Sequence, residues 1–117
     1  MDRLPPIKIA QGEPFAYDVT VVGQDWTGWT GTATFKTKPQ AQWRTVLADY
    51  VQEPILQVEA LGDAGGLLQV GLSAAQTDLL PALPRLGYFR TCVMEISMTD
   101  GTDVKKYQAN VSVATAI

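Results

Sequence analysis

The sequence of 117 residues contains no histidine. Histidine is the commonest general acid–base and metal-binding side chain, because it titrates near neutrality. Its absence excludes Ser-His-Asp and Cys-His hydrolysis and every zinc site built with imidazole. The single cysteine, Cys92, excludes an internal disulfide and any Cys-x-x-Cys pair. It falls in the apolar, strand-like run Tyr88–Met98, where a buried, inert thiol is expected. No apolar stretch approaches ~18 residues, so no transmembrane helix is expected. Met1–Pro6 lacks the basic-then-apolar order of a secretory signal. Nine basic against twelve acidic side chains give a net charge of −3 and a pI of about 4.7. A phosphate-backbone binder normally has the opposite balance, so no nucleic-acid partner is expected. Charge is sparse as well, at 18% of residues against 46% hydrophobic. Disordered chains show the reverse, so one globular domain over 1–117 is expected.

The carboxylates do not make up for the missing imidazoles. Asp100 and Asp103 flank Gly101, and Asp63 precedes Ala64-Gly65-Gly66. A calcium loop needs more oxygen ligands at alternating positions and a late Glu, which neither cluster supplies. Turn chemistry is the expectation for both. The glycines match neither Gly-x-Gly-x-x-Gly nor a P-loop, so no phosphate cradle is indicated. No metal, cofactor or small-molecule substrate is expected, and no enzyme activity.

What is present is alternation. In Phe15–Val21 the odd positions are large and apolar while Asp18 and Thr20 face away. Ala33 and Phe35 share one face of Thr32–Lys36. Leu68, Val70 and Leu72 alternate with Gln69 and Gly71, and Cys92, Met94, Ile96 and Met98 with Glu95, Ser97 and Thr99. Tyr107, Ala109, Val111 and Val113 close the series. Successive strand side chains point to opposite faces, so each run buries one face and wets the other, as antiparallel sheets allow. Ile7–Ala10, Gln42–Leu47 and Ile55–Ala60 are weaker strands. The first two are edge candidates, with Lys8 and Arg44 as guards. Asp100-Gly101 reads as a hairpin turn, and Asp63-Ala64-Gly65-Gly66 joins Ile55–Ala60 to Leu67–Leu72.

One stretch reads as helix. Ser73-Ala74-Ala75-Gln76 has the capping-box layout, and Pro81 and Pro84 end the helical run. Leu79, Leu80 and Leu83 are expected to plug one end of the core. The fold class is therefore all-β: an immunoglobulin-like antiparallel β-sandwich of about seven strands with one short crossover helix. The expected core is Phe15, Tyr17, Val19, Val21, Ala33, Phe35, Val58, Leu68, Val70, Leu72, Cys92, Met94, Ile96, Val111 and Val113. Tyr88 opens a strand, either as a tyrosine corner or as plain packing.

The order of motifs resembles a family of small immunoglobulin-like domains in tail and baseplate proteins of tailed phages and prophages, including the N-terminal domain of baseplate upper proteins. The matching pieces start with Gly12-Glu13 before the first long strand, then the turn Asp25-Trp26-Thr27-Gly28-Trp29 leading into Thr32–Lys36. Next come Gly66-Leu67-Leu68-Gln69-Val70, Leu72-Ser73-Ala74, Gly87-Tyr88-Phe89, Asp100-Gly101 and finally Val111-Ser112-Val113 before Thr115. Together they cover Ile7 to Thr115. The resemblance implies a virion structural subunit that binds other phage structural proteins and copies of itself. It would reside in the tail, or in the host cytoplasm during assembly.

Trp26, Trp29 and Trp43 all fall in turn or loop regions and form the candidate contact surface, because aromatics are enriched at interface cores. The plainer alternative folds one or two of them back as lids on the core. A second functional class, a carbohydrate-binding β-sandwich, would use Trp26 and Trp29 as a sugar platform beside Gln24 and Asp25.

Overall fold

The computed structural model describes residues 2–37, 54–80, 82 and 89–115. Eight strands and one helical turn occupy them: β1 (Asp2–Arg3), β2 (Ile7–Ala10), β3 (Phe15–Thr20), β4 (Thr30–Thr37), β5 (Pro54–Gly62), β6 (Leu67–Leu72), α1 (Ala74–Thr77), β7 (Phe89–Thr99) and β8 (Val104–Ala114). The all-β architecture follows from the alternation. Leu68, Val70 and Leu72 of β6 and Tyr107, Ala109, Val111 and Val113 of β8 are buried, and residues between them are more exposed.

The ladders differ from two separate antiparallel sheets. Hydrogen bonds connect every strand in the order β1-β8-β7-β4-β5-β6-β3, and β2 also pairs with β8. The sheet is mixed, because β1 and β2 run parallel to β8 while the other pairs are antiparallel. Continuity depends on β5. Its earlier part pairs with β4, and its last three residues, Ala60–Gly62, pair with Leu68–Val70 of β6. The strands thus form two groups, β1/β2-β8-β7-β4 and β6-β3, linked by a narrow joint.

This order forces the sheet to roll. If it were flat, six strand spacings of ~4.8 Å would put β2 and β3 about 29 Å apart. The chain from Ala10 to Phe15 can reach only ~18 Å. Contacts confirm the approach at both ends of β3. The Gln11 side chain donates to the Leu80 carbonyl at 2.6 Å, and beyond Thr20 the Lys105 ammonium donates to Gln24 Oε1 at 2.6 Å. An open cleft lined by Asp2, Val21 and Val104–Tyr107 lies at this second end, between the residue after β3 and the start of β8. The core fills the inside of the roll.

α1 latches the opposite end. Ser73 Oγ accepts the Gln76 N–H at 3.2 Å and Gln76 Oε1 accepts the Ser73 N–H at 2.9 Å, which completes the expected capping box. Such a short helix is unstable alone. Thr77, fully buried, supplies the anchor: its hydroxyl accepts the Gly12 N–H at 3.0 Å and lies 3.0 Å from the Glu13 carbonyl and 2.9 Å from that of Ala74. Leu80 is buried behind it. Leu79, expected to plug the core, is instead 58% exposed, because the turn after Thr77 rotates it to the surface. Leu83, Tyr88 and the edge candidate Gln42–Leu47 lie outside the described residues. β2 does lie at an end of the sheet, as expected, but the strand at the other end is β3.

Replacing Thr77 by Val keeps the shape and removes the hydroxyl that bonds Gly12 and Glu13. The expected loss is ~0.5–1.5 kcal/mol of unfolding free energy, read from the urea midpoint at constant m-value. An unchanged midpoint would show that the latch carries no weight.

Candidate functional site

The strand directions bring three connections to one end of the roll: the β3–β4 loop carrying Trp26 and Trp29, the β5–β6 turn at Asp63–Gly66, and the β7–β8 turn at Asp100–Asp103. β1 and the start of β8 lie beside them, since Asp2 is in register with Tyr107.

Trp26 organises this end. Only 1% exposed, it donates from its indole N–H to the Gly66 carbonyl at 3.1 Å. The same carbonyl accepts the Val21 N–H at 2.8 Å, and the Trp26 N–H donates to the Asp63 carbonyl at 3.0 Å. One indole therefore ties the β3–β4 loop to the β5–β6 turn. Gly62 makes room for it, since a Cβ there would lie 2.5 Å from Trp26 Cβ. Gly66 sits at φ +88°, a conformation L side chains rarely adopt, with the Val21 carbonyl where its Cβ would go. Two rings meet Trp26 edge-on: Trp29 at 5.1 Å between centroids and Tyr107 at 6.2 Å. Such pairs add ~0.5–1.5 kcal/mol beyond area burial.

Of the three tryptophans in the candidate contact surface, Trp26 is a lid on the core and offers no surface to a partner. Trp29 is half-buried, with part of its ring open. Trp43 lies outside the described residues. The aromatic platform for a sugar loses a ring with Trp26, and Gln24 is engaged through both amide atoms, donating to the Asp25 carbonyl at 2.9 Å and accepting from Lys105. The open apolar surface at this end comes from residues the sequence did not single out. Val22 is 93% exposed in the β3–β4 loop, and Val104 is 57% exposed at the start of β8.

The carboxylates here hold turns. Asp63 Oδ1 accepts the N–H groups of Gly65 and Leu67 at 2.9 and 3.0 Å. Asp25 Oδ1 accepts the Thr27 N–H at 2.8 Å. Asp100 Oδ1 accepts the N–H groups of Asp103 and Thr102 at 2.7 and 2.9 Å. These bonds favour the ionised form: those from Asp103 and Thr102 hold Asp100 below the usual aspartate range, and Thr27 does the same for Asp25. No cluster of three metal-ligating side chains occurs among the described residues. Cys92, fully buried on β7, is out of reach of any substrate from solvent.

Trp26→Ala should cost ~3–5 kcal/mol, whereas Trp29→Ala should cost no more than about 2 kcal/mol, the value for burying part of one ring. Equal losses in chemical denaturation would contradict this division between lid and surface. Asp100 yields a pH test. Its lowered pKa in the folded state means that its stabilising contribution is present above ~pH 4 and fades as pH falls through the folded value. Asp100→Asn keeps the acceptor oxygen and removes the charge, so its stability should depend less steeply on pH below ~4; parallel curves for both proteins would refute it. No protein-family model and no curated protein sequence matches the chain.

Proposed function

We propose that this protein is a non-enzymatic structural subunit of a phage or prophage particle, associated with the tail or baseplate and acting through protein–protein contacts. The observation that carries this reading is the disposition of the sheet. Asp25, Asp63 and Asp100 hold turns, while the strand order of the described residues ends on β3 at one side and on β1 and β2 at the other. Unpaired strand edges template association.

The positions of the motifs support the family resemblance. Gly12-Glu13 directly precedes β3, Asp25–Trp29 turns into β4, Leu72-Ser73-Ala74 runs from β6 into α1, and Asp100-Gly101 separates β7 from β8. The ladders support the immunoglobulin-like reading as well. β3 pairs β6 as strands B and E do in such domains, and β4-β7-β8 follows C-F-G. The β-sandwich is then two strand groups stacked across the core, with β5 crossing between them. In this reading the protein works in the virion tail and passes through the host cytoplasm during assembly.

An epitope-tagged copy expressed during prophage induction in the source bacterium tests this. The protein should co-band with particles on a density gradient, with antibody label at the tail in electron micrographs. Recovery only in the soluble fraction would refute the reading.

A further inference from the structure

The turn between β7 and β8 carries the only aspartate in the sequence that is followed by glycine, Asp100-Gly101. The only asparagine, Asn110, precedes the β-branched Val111. An Asp-Gly bond has an intramolecular reaction open to it. The main-chain nitrogen of the glycine attacks the side-chain carboxyl carbon of the aspartate, and one carboxyl oxygen leaves as water. Glycine favours the step because it has no Cβ to obstruct the approach. The cyclic succinimide then takes up a water at either of its carbonyls. One opening restores aspartate. The other gives isoaspartate, in which the main chain runs through the former side-chain carboxyl. The water released on closure matches the water taken up on opening, so no co-reactant is needed.

Asp100 and Gly101 are both exposed, so water reaches them. A Cβ at Gly101 would meet nothing within 4 Å beyond its chain neighbours, so no packing covers the tip. The turn itself withholds each reacting group. Asp100 Oδ1 accepts the N–H groups of Thr102 and Asp103, which holds the carboxylate forward over the turn. These bonds also favour the ionised carboxylate, the poorer electrophile. The Gly101 N–H, whose proton must leave before the nitrogen can attack, donates to Thr99 Oγ1 at 3.1 Å. The Thr99 hydroxyl in turn donates to the Asp103 carbonyl at 2.8 Å, which fixes it across the mouth of the turn.

We propose that Asp100-Gly101 is a self-modification site gated by the hairpin: it forms isoaspartate only when the tip opens, and the Thr99 hydroxyl and the bonds to Asp100 Oδ1 keep it closed. Local openings of this kind cost less than unfolding the whole domain. The product alters the hairpin. It lengthens the main chain by one carbon between Thr99 and Val104, which face each other in the ladder, and it consumes the carboxyl that holds Thr102 and Asp103. The exposed Val104 at the start of β8 adjoins this change, so the surface there alters with the age of the molecule and without an enzyme.

Incubation of the purified protein in warm neutral buffer over several weeks tests the gate, with isoaspartate located by electron-transfer fragmentation of its peptides. Unfolded in guanidinium chloride, wild type should form isoaspartate at Asp100 faster than at any other aspartate. Folded, it should do so at least about tenfold more slowly, the weight of the charge-assisted bonds on the carboxylate. Thr99→Val keeps the β-branched shape and should speed the folded reaction about two- to tenfold, the weight of one hydrogen bond, with no change in denaturant. The comparison of folded with unfolded wild type is independent of how the variant folds. Equal rates in folded and unfolded wild type, a Thr99→Val rate equal to that of wild type, or no isoaspartate at Asp100 in denaturant would each overturn the proposal.

Discussion

The Trp26 indole sets the shape of the molecule. A rolled sheet has to be held at its ends, since the twist of strands curls it but does not fix how far. Here one fully enclosed ring system touches Trp29 and Tyr107 and donates to the Gly66 carbonyl, joining three parts of the chain. Indole is suited to this task because its body is apolar and its N–H takes a defined partner. Gly62 and Gly66 are consequences of it: one yields space to the ring and the other accepts a backbone conformation that brings its carbonyl to the N–H. At the opposite end the Thr77 hydroxyl does comparable work with fewer atoms. The roll is fastened at both ends, and its seam is left to the strand edges.

The sequence disclosed the strands because burial on one face writes a period of two. All the strands read from it occur except Gln42–Leu47, which the structure does not describe, and the capping box of α1 is formed as its residues indicate. Most of the expected core is buried, and the remainder, Phe15, Tyr17, Val19, Val21 and Val58, packs against it half-buried. What alternation cannot carry is which strand lies beside which. The parallel pairing of β2 with β8, the use of β5 by two neighbours and the mixed sheet all depend on contacts between distant segments.

The site was less legible than the fold. Tryptophans in a Gly-rich loop suggested exposure, because loops run over surfaces. Trp26 reversed that inference. Its burial depends on Gly62 and Gly66, some forty residues away, and no local pattern connects them. Two signals were available in retrospect: the glycine closing β5, and a chain with no disulfide that needs a large ring to close its end. Leu79 and Leu80 show the same limit on a smaller scale, since adjacent leucines in a turn have no period to separate the buried one from the exposed one.

The parallel pair at the seam also governs when the fold can be completed. Ile7 and Ile9 of β2 are covered by Val111 and Val113, about a hundred residues later in the chain. At ~5–20 residues per second, the ribosome takes some 5–20 s to deliver that cover. During this interval the first apolar strand is sticky and has no native place to go, so a newly made chain depends on holding chaperones or on Lys8 and the paired prolines before β2 to keep it from misjoining.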